Sequence, residues 1–323
     1  MKLGSPGENI VLAPRAGVTD RAFRELARSF GASMSYTEMV SAKGIQYNNK
    51  KTFELLQVGD GEGTAGVQLF GREPDTIAHM AARLEQACGE RIAVFDVNMG
   101  CPAPKIVNNG EGSALMKEPE LAARIIETLK KAVTRPVSVK FRRGFERGTE
   151  TCVEFARMAQ EAGADLIAVH GRTREQYYEG KADWQAIARV KQAVYIPVLA
   201  NGDVFSPEDA KAILEVTGAD GVMVARGALG NPMIFREIRE YLSTGSYRKA
   251  TWQERLEVAV QQARLTCQYK PERMAMREMR KHGAWYVKGL KNAARWREKL
   301  VRVETLADYE GFMEQIALEA ESK

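Results

Sequence analysis

Cysteine and histidine are scarce in this chain, which has four and three of them among 323 residues. Cys88, Cys101, Cys152 and Cys267 are far apart and form no C-x-x-C pair, so neither a disulfide framework nor a zinc site is indicated. No apolar run reaches the length that spans a membrane, and the first eight residues lack the apolar core of a signal peptide. We therefore expect no metal site and no membrane association, and a cytoplasmic location.

The chain also lacks a dinucleotide-binding fingerprint. A glycine-rich stretch at residues 59–63 (GDGEG) precedes an apolar run, whereas the glycine loop of a nucleotide-binding fold follows its strand. We predict a plain loop there.

The dominant pattern is a regular alternation of short apolar runs with longer amphipathic segments. The runs are apolar throughout, which is typical of parallel strands covered by helices. They comprise residues 9–14, 33–38, 65–70, 92–97, 136–140, 166–170, 196–201 and 221–225. Eight β/α units in about 240 residues fit a TIM barrel better than an open doubly wound sheet. We predict an α/β fold with a TIM (β/α)8 barrel over residues 1–243, followed by a small all-helical domain over residues 244–323.

Polar or glycine-rich segments follow nearly every predicted strand. They include Pro14, Arg15 and Ala16; Glu38; Gln68; Asn98 with Cys101; Lys140; His170 with Arg172; Asn201, Gly202 and Asp203; and Ala225, Arg226 and Gly227. Active sites of TIM barrels lie at the carboxyl ends of the strands. This pattern predicts a catalytic mouth at that end.

Cys101 lies in a Gly/Pro-rich loop directly after one of these strands. With an ordinary thiol pKa of about 8.5 it would be mostly protonated at neutral pH and could donate a proton. An isolated Gly-Cys-Pro is more often a packing residue beside a turn, but the polar residues at the other strand ends favour a catalytic role.

The segments after the last two strands predict a phosphate site. Asn201-Gly-Asp203 and the run from Ala225 to Gly230 provide small residues, backbone N–H groups and Arg226 ahead of helix starts. TIM barrels commonly hold a phosphate at this position, so a phosphate-bearing cofactor is indicated.

The C-terminal quarter carries the whole positive excess. Residues 1–244 contain 31 Lys+Arg and 31 Asp+Glu, whereas residues 245–323 contain 16 and 11. On a helical wheel, nine cations between Arg273 and Arg302 fall within an arc of about 100°, with Trp285, Tyr286 and Trp296 interleaved. Such a stripe favours a phosphate backbone as partner, although a solvated helix face is an alternative.

Together these motifs resemble those of bacterial tRNA-dihydrouridine synthases. The likeness runs over residues 13–20 (APRAGVTD), 98–102 (NMGCP), 169–174 (VHGRTR), 200–203 (ANGD), 279–282 (MRKH) and 285–289 (WYVKG). The resemblance implies an FMN-bearing TIM barrel followed by a helical RNA-binding domain. It also implies NADPH or NADH as reductant and tRNA as substrate, with ribosomal RNA not excluded and no stable protein partner inferred.

The resemblance implies specific roles for the residues at the strand ends. Cys101 matches the general acid that protonates C5 of uracil while reduced FMN transfers hydride to C6. The implied cofactor contacts are Pro14, Arg15, Ala16, Gln68, Lys140, His170, Asn201, Gly202, Asp203, Ala225 and Arg226. The expected substrate contacts are Asn98, Arg172, Arg280, Lys281, Lys288, Lys291 and Arg295.

Arg15 and Ala225 depart from the family pattern. The first strand usually ends in Pro-Met-Ala-Gly, and Arg15 replaces the Met; Ala225 stands where Gly is usual, which should be harmless if its φ is negative. A buried guanidinium needs a partner, so we expect Arg15 to pair with Glu38 or Glu111, or to lie beside the flavin.

Four functions remain open at this point. The leading one is reduction of a tRNA uridine to 5,6-dihydrouridine. The others are reduction of a free pyrimidine or enone, a flavin-dependent RNA uridine modification such as C5 methylation, and RNA binding without catalysis.

Overall fold

The computed structural model describes residues 4, 6–47 and 49–321. Residues 1–3, 5, 48, 322 and 323 lie outside the described residues, and with them part of the N-terminal stretch and the last two residues of the predicted helical domain.

The centre of the molecule is a parallel sheet curled into a barrel. Its strands are β1 (Ile10–Leu12), β2 (Met34–Ser35), β3 (Val40–Ser41), β4 (Ala65–Phe70), β5 (Ile92–Met99), β6 (Val137–Arg142), β7 (Leu166–His170), β8 (Val198–Asn201) and β9 (Gly221–Val224). From β4 to β9 each strand pairs with the next, and β9 pairs with β1. The segment 34–41 closes the ring, because β2 pairs with β1 while Tyr36 bridges Gly66 and β3 pairs with β4. The predicted eight-position barrel is confirmed.

The second predicted strand, residues 33–38, differs in detail. Only β2 (Met34–Ser35) falls within the predicted range, and a second short strand, β3 (Val40–Ser41), follows it beyond Thr37 and Glu38. The Thr37 hydroxyl accepts a hydrogen bond from the Gln68 backbone N–H (3.1 Å) and donates one to the Glu38 carbonyl (2.9 Å). A side chain thus replaces part of the backbone ladder at this position.

The sheet register arranges polar side chains in rows inside the barrel. Gln68 lies opposite Asp96, which in turn lies opposite Ser138. Nearer the mouth, Asn98 lies opposite Lys140. At the rim, Arg142, His170 and Asn201 form a third row. Because side chains two residues apart on a strand share a face, these rows project into the same interior and lead up to the mouth.

Helices cover the outside of the barrel. They are α1 (Arg21–Ser29), α2 (Ala42–Gln46), α3 (Lys50–Leu55), α4 (Pro74–Cys88), α5 (Pro104–Val107), α6 (Pro119–Ala132), α7 (Cys152–Glu161), α8 (Trp184–Ala193), α9 (Pro207–Thr217) and α10 (Ile234–Thr244). Ser206 caps α9, since its side chain accepts from the Asp209 N–H (3.1 Å), and Pro207 occupies the first turn. A proline fits there because its missing N–H would have no helical partner.

The glycine-rich stretch at residues 59–63 is more than a plain loop. It forms a short 3-10 turn over Asp60–Glu62 and contributes Glu62 to a buried ion pair with Arg24 on α1 (2.9 Å). The turn therefore holds α1 against the barrel.

Four helices follow the barrel: α11 (Trp252–Tyr269), α12 (Glu272–Tyr286), α13 (Ala293–Leu300) and α14 (Leu306–Glu321). They enclose a hydrophobic cluster that includes Tyr286 and Trp296, which are 0% and 1% exposed. These two aromatic residues are core residues, which corrects the expectation that they accompany the cations on an RNA-facing stripe. None of the described helices is long and apolar enough to cross a membrane.

The basic segment is not one continuous helix. The chain turns between the end of α12 and the start of α13, where Gly289 and Asn292 have φ values of +95° and +59°. Gly283, in contrast, lies within α12. The cations are therefore divided between two helices and the turn that joins them.

The C-terminal helices pack against the rim of the barrel next to β1. Lys270 forms an ion pair with Asp20 (3.1 Å), the Tyr269 hydroxyl donates to Glu25 (2.5 Å), and the Lys281 ammonium donates to the Gly17 carbonyl. Gly17 and Asp20 belong to the loop that leaves β1 at the mouth of the barrel. These contacts bring α11 and α12 beside the mouth. We refer to α12 and α13, with the turn between them, as the basic helices.

Candidate active site

Two adjoining clefts open at the carboxyl ends of the strands. The first lies beside the loops after β8 and β9, and Asn201, Gly202, Asp203, Ala225 and Arg226 line it. The second lies beside the loop after β5, and Gln68, Asn98 and Cys101 are among its lining residues. The residues that line both clefts are Pro14, Arg15, Lys140, Arg142 and Tyr178. The predicted cofactor residues from Pro14 to Arg226 thus meet at one end of the barrel.

Cys101 is half-buried in the loop after β5. Its carbonyl accepts from the Ser113 N–H (3.1 Å), and a Cβ on Gly112 would come within 3.1 Å of the Cys101 Cβ. Gly112 also has φ +60°, so glycine is required at this close approach. The residues behind the cysteine therefore hold its loop in place.

The Cys101 thiol is neutral at physiological pH. Burial raises its pKa above the ordinary value, while the Ala103 N–H and the charges of Arg142 and Lys140 act in the opposite direction. A protonated thiol that faces a cleft can serve as a proton donor.

A chain of side-chain hydrogen bonds runs beneath the Cys101 loop. Asp96 Oδ1 accepts from the Ser138 hydroxyl (2.6 Å), and its Oδ2 accepts from Gln68 Nε2 (2.7 Å). Gln68 Oε1 accepts from Asn98 Nδ2 (2.8 Å), and Asn98 Oδ1 accepts from the backbone N–H groups of Gly100 (3.1 Å) and Cys101 (2.9 Å). Sequence reasoning missed Asp96, although its position two residues before Asn98 places both side chains on one face of β5.

Asp96 is buried beneath the clefts, Lys140 is partly buried and lines both of them, and the two groups influence each other electrostatically. Burial raises the pKa of Asp96 to about 6, against hydrogen bonds from Ser138 and Gln68 and the charge of Lys140. Burial, together with nearby Arg142, lowers the pKa of Lys140 to about 8, and Asp96 and Cys101 act in the opposite direction. Between these values the carboxylate and the ammonium are both charged.

His170 and Arg142 complete the interior of the mouth. Burial lowers the pKa of His170 well below its usual value, and the surrounding cations lower it further, so its imidazole is neutral. Arg142 donates to the carbonyls of Gly100 (2.7 Å) and Thr173 (3.0 Å). The sequence analysis did not select Arg142, although it lies two positions after Lys140 on the same face of β6.

The loops after β8 and β9 form the end of the site predicted to hold a phosphate. Ala225 has φ −115°, the negative value that makes it an acceptable replacement for glycine. Asp203 accepts from Arg226 (2.9 Å), and the Asn201 side chain donates to the Met223 carbonyl (2.7 Å). Asp203 thereby orients Arg226, whose guanidinium is the cation available to a phosphate at this end.

Arg172, expected to contact the substrate, is engaged in several contacts within the protein. Its side chain is 2% exposed and forms a bidentate pair with Asp203 (2.8 and 2.7 Å). It also donates to the carbonyls of Glu179 (3.1 Å) and Gly180 (2.5 Å). Arg172 thereby fixes the loop after β7 to the loop after β8, and the substrate contact expected for it stays a prediction.

Arg15 does not pair with either of the acids expected for it. The Glu38 carboxylate accepts from the Gly17 backbone N–H, and Lys43 is the cation that acts on Glu111. Among the described residues Arg15 forms no ion pair, and its Nη1 is buried without a hydrogen-bond partner. Its guanidinium lies 5.8 Å from the centre of the Tyr178 ring, between the two clefts.

Tyr178 is a further residue that the sequence analysis did not select. Its ring is stacked by Arg226 at 4.6 Å on the phosphate side of the mouth, while Arg15 approaches it from β1. The side chain is 47% exposed, so an aromatic surface stands at the entrance. No spacing pattern marks Tyr178, because it belongs to the irregular loop after β7.

The predicted RNA contacts on the helices are of two kinds. Lys288, Lys291 and Arg295 are exposed. Arg280 donates to the Val303 carbonyl (2.9 Å) and Lys281 to the Gly17 carbonyl, so both are engaged within the protein. Among the described residues no group of three or more His, Cys, Asp or Glu side chains could hold a metal ion.

Comparison with known proteins relates this architecture to one family. A family model described as "Dihydrouridine synthase (Dus)" matches residues 11–321. The chain is 42% identical over 308 residues to "Probable tRNA-dihydrouridine synthase 1" of Synechocystis, covering 95% of this chain and 85% of that protein. It is 40% identical over 297 residues to "tRNA-dihydrouridine synthase B" of Pseudomonas aeruginosa, covering 91% and 88%.

Solved structures of low sequence identity share the fold. Histamine dehydrogenase from Rhizobium sp. 4-9 superposes with a TM-score of 0.55 at 12% identity, over 80% of this chain and 49% of that one. The chain therefore spans about half the length of that protein.

Proposed function

The chain belongs to the dihydrouridine synthase family, and from this premise we propose that it reduces a uridine of tRNA to 5,6-dihydrouridine. FMN is the cofactor and NADPH or NADH the reductant. The observation that carries the proposal is a neutral thiol, Cys101, in a cleft that continues past Lys140 to Arg226.

The residues of the mouth fit FMN from its phosphate to its ring. Arg226 and the backbone around Gly202 and Ala225 would hold the phosphate, at the position where TIM barrels commonly bind one. Gln68 and Lys140, one cleft further on, would contact the ring. The buried, unpartnered Nη1 of Arg15 between the clefts supports an acceptor-rich ligand at this position.

Reduction requires a hydride at C6 of the uracil and a proton at C5. FMN, when bound and reduced, supplies the hydride. The Cys101 thiol donates the proton, which suits its raised pKa. The Lys140 ammonium stabilises negative charge that develops in the cleft, and the water-poor surroundings strengthen this effect.

The basic helices account for an RNA substrate. A uridine inside folded tRNA must be turned out of its stack to reach a buried cleft, so the enzyme must hold the rest of the RNA elsewhere. Lys288 and Lys291 are exposed in the turn that follows α12, the helix whose Lys281 contacts the loop after β1, and Arg295 is exposed on α13. This feature argues against a free pyrimidine as the substrate, since such a molecule would not need them.

The first experiment combines spectroscopy with analysis of the RNA. We expect the purified protein to be yellow and to release FMN on denaturation. Incubation with NADPH and unmodified tRNA should convert a uridine to a nucleoside heavier by two hydrogens. A colourless protein that fails to bind added FMN would exclude the flavoenzyme hypotheses together.

The Cys101→Ala variant tests the assignment of the proton donor. Turnover should fall by roughly 10²–10⁴-fold, the usual effect of losing a positioned acid. FMN content and tRNA affinity should remain near those of the wild type, because the thiol contributes little to binding. Cys267→Ala, which changes a partly buried cysteine on α11, serves as the matched control and should keep full activity. Near-normal turnover of Cys101→Ala would reduce Cys101 to a packing residue.

A second candidate function is a flavin-dependent modification of uridine other than reduction, such as methylation at C5. The unpaired Arg15 favours it, because a cation beside a flavin weakens hydride donation. The same nucleoside analysis separates the two, since the product would gain a methyl group instead of two hydrogens.

A further inference from the structure

Beneath the catalytic loop lies a buried carboxylate that has no assigned part in the reaction. Asp96 is enclosed in the barrel, two strand positions below Asn98, and its two oxygens accept from Ser138 and Gln68. It does not line either cleft. Burying a carboxylate without a direct ion pair is costly, so its retention in the barrel requires an explanation.

The hydrogen bonds from Asp96 have one direction. An ionised carboxylate can only accept, so Gln68 must present Nε2 to Asp96 (2.7 Å) and Oε1 to Asn98 (2.8 Å). Asn98 must then present Nδ2 to Gln68 and Oδ1 to the backbone N–H groups of Gly100 and Cys101. A reversed amide at either position would place two acceptors or two donors face to face.

The last hydrogen bonds of this series, from the Gly100 and Cys101 N–H groups to Asn98, set the position of the thiol. By accepting from both Gly100 and Cys101, the Asn98 carbonyl oxygen closes a turn at the point where β5 becomes the catalytic loop. Arg142 and Ser113 hold the carbonyls of the same two residues, Gly100 (2.7 Å) and Cys101 (3.1 Å). The orientation of the Cys101 side chain therefore depends on which way the Asn98 amide points.

We propose that Asp96 is a positioning residue for catalysis, which fixes the orientation of Gln68 and Asn98 and through them the direction of the Cys101 thiol. The inference deepens the proposed function and rests on it only for the identity of the reaction. The series of hydrogen bonds that links Asp96 through Gln68 and Asn98 to the Cys101 N–H, here called the relay, is present in the protein whatever reaction it catalyses.

Three variants separate positioning from simple core packing. Asp96→Leu removes the acceptor and breaks the relay. Asp96→Asn keeps the shape but can present either amide atom to Gln68, so it specifies the direction less well. Ser138→Ala removes the other hydrogen bond to Asp96 and leaves the relay to Cys101 intact. Because that bond also holds the pKa of Asp96 down, all variants are assayed at about pH 7.5, where Asp96 stays ionised and Ser138→Ala is the matched control.

Steady-state kinetics with tRNA are the first measurement. We expect Ser138→Ala to keep the kcat of the wild type, Asp96→Asn to have a lower kcat and Asp96→Leu the lowest. The loss of kcat in Asp96→Leu should be about 10-fold or more, because a displaced proton donor no longer accelerates the reaction fully. KM for tRNA should stay within about twofold, because the basic helices are untouched. Equal losses of kcat in Asp96→Asn and Ser138→Ala would overturn the proposal, and this comparison remains decisive if Asp96→Leu fails to fold.

The second measurement does not depend on the reaction. Iodoacetamide labelling at Cys101, followed by peptide mass spectrometry, reports how firmly the loop is held. Labelling should be faster in Asp96→Leu than in the wild type and unchanged in Ser138→Ala, while buried Cys152 stays unlabelled in all folded variants. If Cys101 labelling does not change in Asp96→Leu, the relay does not position the thiol. If instead labelling changes as expected but the wild type produces no dihydrouridine, the proposed function fails and the positioning role stands.

Discussion

Arg15 stands where the resembling family motif usually has Met. In the structure it has no acidic partner among the described residues and lies between the two clefts, next to Tyr178. Of the alternatives that the sequence left open, a position beside the cofactor is the one compatible with this geometry. A cation there would stabilise the negative charge of the reduced flavin.

The Arg15→Met variant should therefore lower the reduction potential of bound FMN and increase uridine-reducing activity. We expect the preference for reduced over oxidised FMN to fall by about tenfold, which corresponds to about 30 mV for a two-electron couple. Reductive titration against a reference dye measures the potential, and dihydrouridine formation is assayed in parallel. Arg157→Met, on the exposed face of α7, removes the same charge away from the mouth and should change neither quantity. Identical potentials in Arg15→Met and the wild type would show that Arg15 does not act on the flavin.

The electrostatic coupling of buried Asp96 with partly buried Lys140 predicts a bell-shaped dependence of activity on pH. Activity should fall below a pH of about 6, where Asp96 becomes protonated, and above about 8, where Lys140 loses its proton. Because the groups influence each other, these limbs belong to the pair. In Asp96→Asn the basic limb should move to lower pH, since the carboxylate that favours the ammonium is gone. The profile of kcat measured with FMN-saturated enzyme checks this, and a flat profile between pH 5 and 9 would contradict it.

At the scale of secondary-structure elements, the ion pair between Arg24 and Glu62 links α1 to the turn at residues 60–62. Both side chains are buried, and Arg24 also donates to the carbonyls of Thr19 (3.0 Å) and Gln57 (2.6 Å). Burial raises the pKa of Glu62, and the Arg24 charge opposes this effect. Since α1 follows the β1 loop that carries Arg15, this pair also stabilises one wall of the mouth.

Removing one partner of this pair should destabilise the fold strongly. We expect Glu62→Ala to lower the free energy of unfolding by about 3–5 kcal/mol, because a buried guanidinium is left without its counter-charge. The control is Glu215→Ala, which breaks an exposed pair with Lys211 on α9 (3.8 Å) and should cost less than about 1 kcal/mol. Urea denaturation followed by circular dichroism measures the free energy of unfolding of both variants and of the wild type. A loss below 1 kcal/mol in Glu62→Ala would show that the pair contributes little.

At the scale of the whole molecule, the basic helices and the mouth lie on the same side. Lys281 and Lys270 reach the β1 loop, so α11 and α12 are anchored at the rim of the active site. Lys288 and Lys291 are exposed in the turn between α12 and α13, and exposed Arg295 follows on α13, where it pairs with Glu319 (3.6 Å). An RNA held there would lie beside the entrance to the cleft.

Replacing Lys288, Lys291 and Arg295 together by Gln should weaken tRNA binding and flatten its dependence on salt. Each lost phosphate contact reduces the slope of log K against log salt by up to about one. Binding is measured by fluorescence anisotropy between 50 and 300 mM salt. A control triple substitution of Lys131, Arg157 and Lys211, on outer helices of the barrel, removes equal charge and should leave the slope nearly unchanged. The same slope in both triple variants would indicate that the stripe faces solvent.

The sequence by itself determined the repeated β/α units, the residues at the strand ends and the excess of positive charge in the last quarter. These features are local or periodic: an apolar run identifies a buried strand, and the residue that follows it must lie at the carboxyl end. The resemblance to the family added expected roles for Cys101, Lys140 and Arg226, because the family motifs are short contiguous segments.

Only the tertiary structure decided which side chains meet across those segments. Gln68, Asp96 and Ser138 are 28 and 42 residues apart along the chain and become neighbours because parallel strands fix their register. Sequence periodicity did not indicate that Arg172 would pair with Asp203 and donate hydrogen bonds to the loop after β7, or that Tyr286 and Trp296 would fill the core of the helical region. It left Arg15 with several candidate partners, whereas in the structure Glu38 accepts from the Gly17 N–H and Arg15 forms no ion pair among the described residues. The physical reason is that strand alternation specifies a face, whereas the partner on that face depends on register and packing between distant parts of the chain.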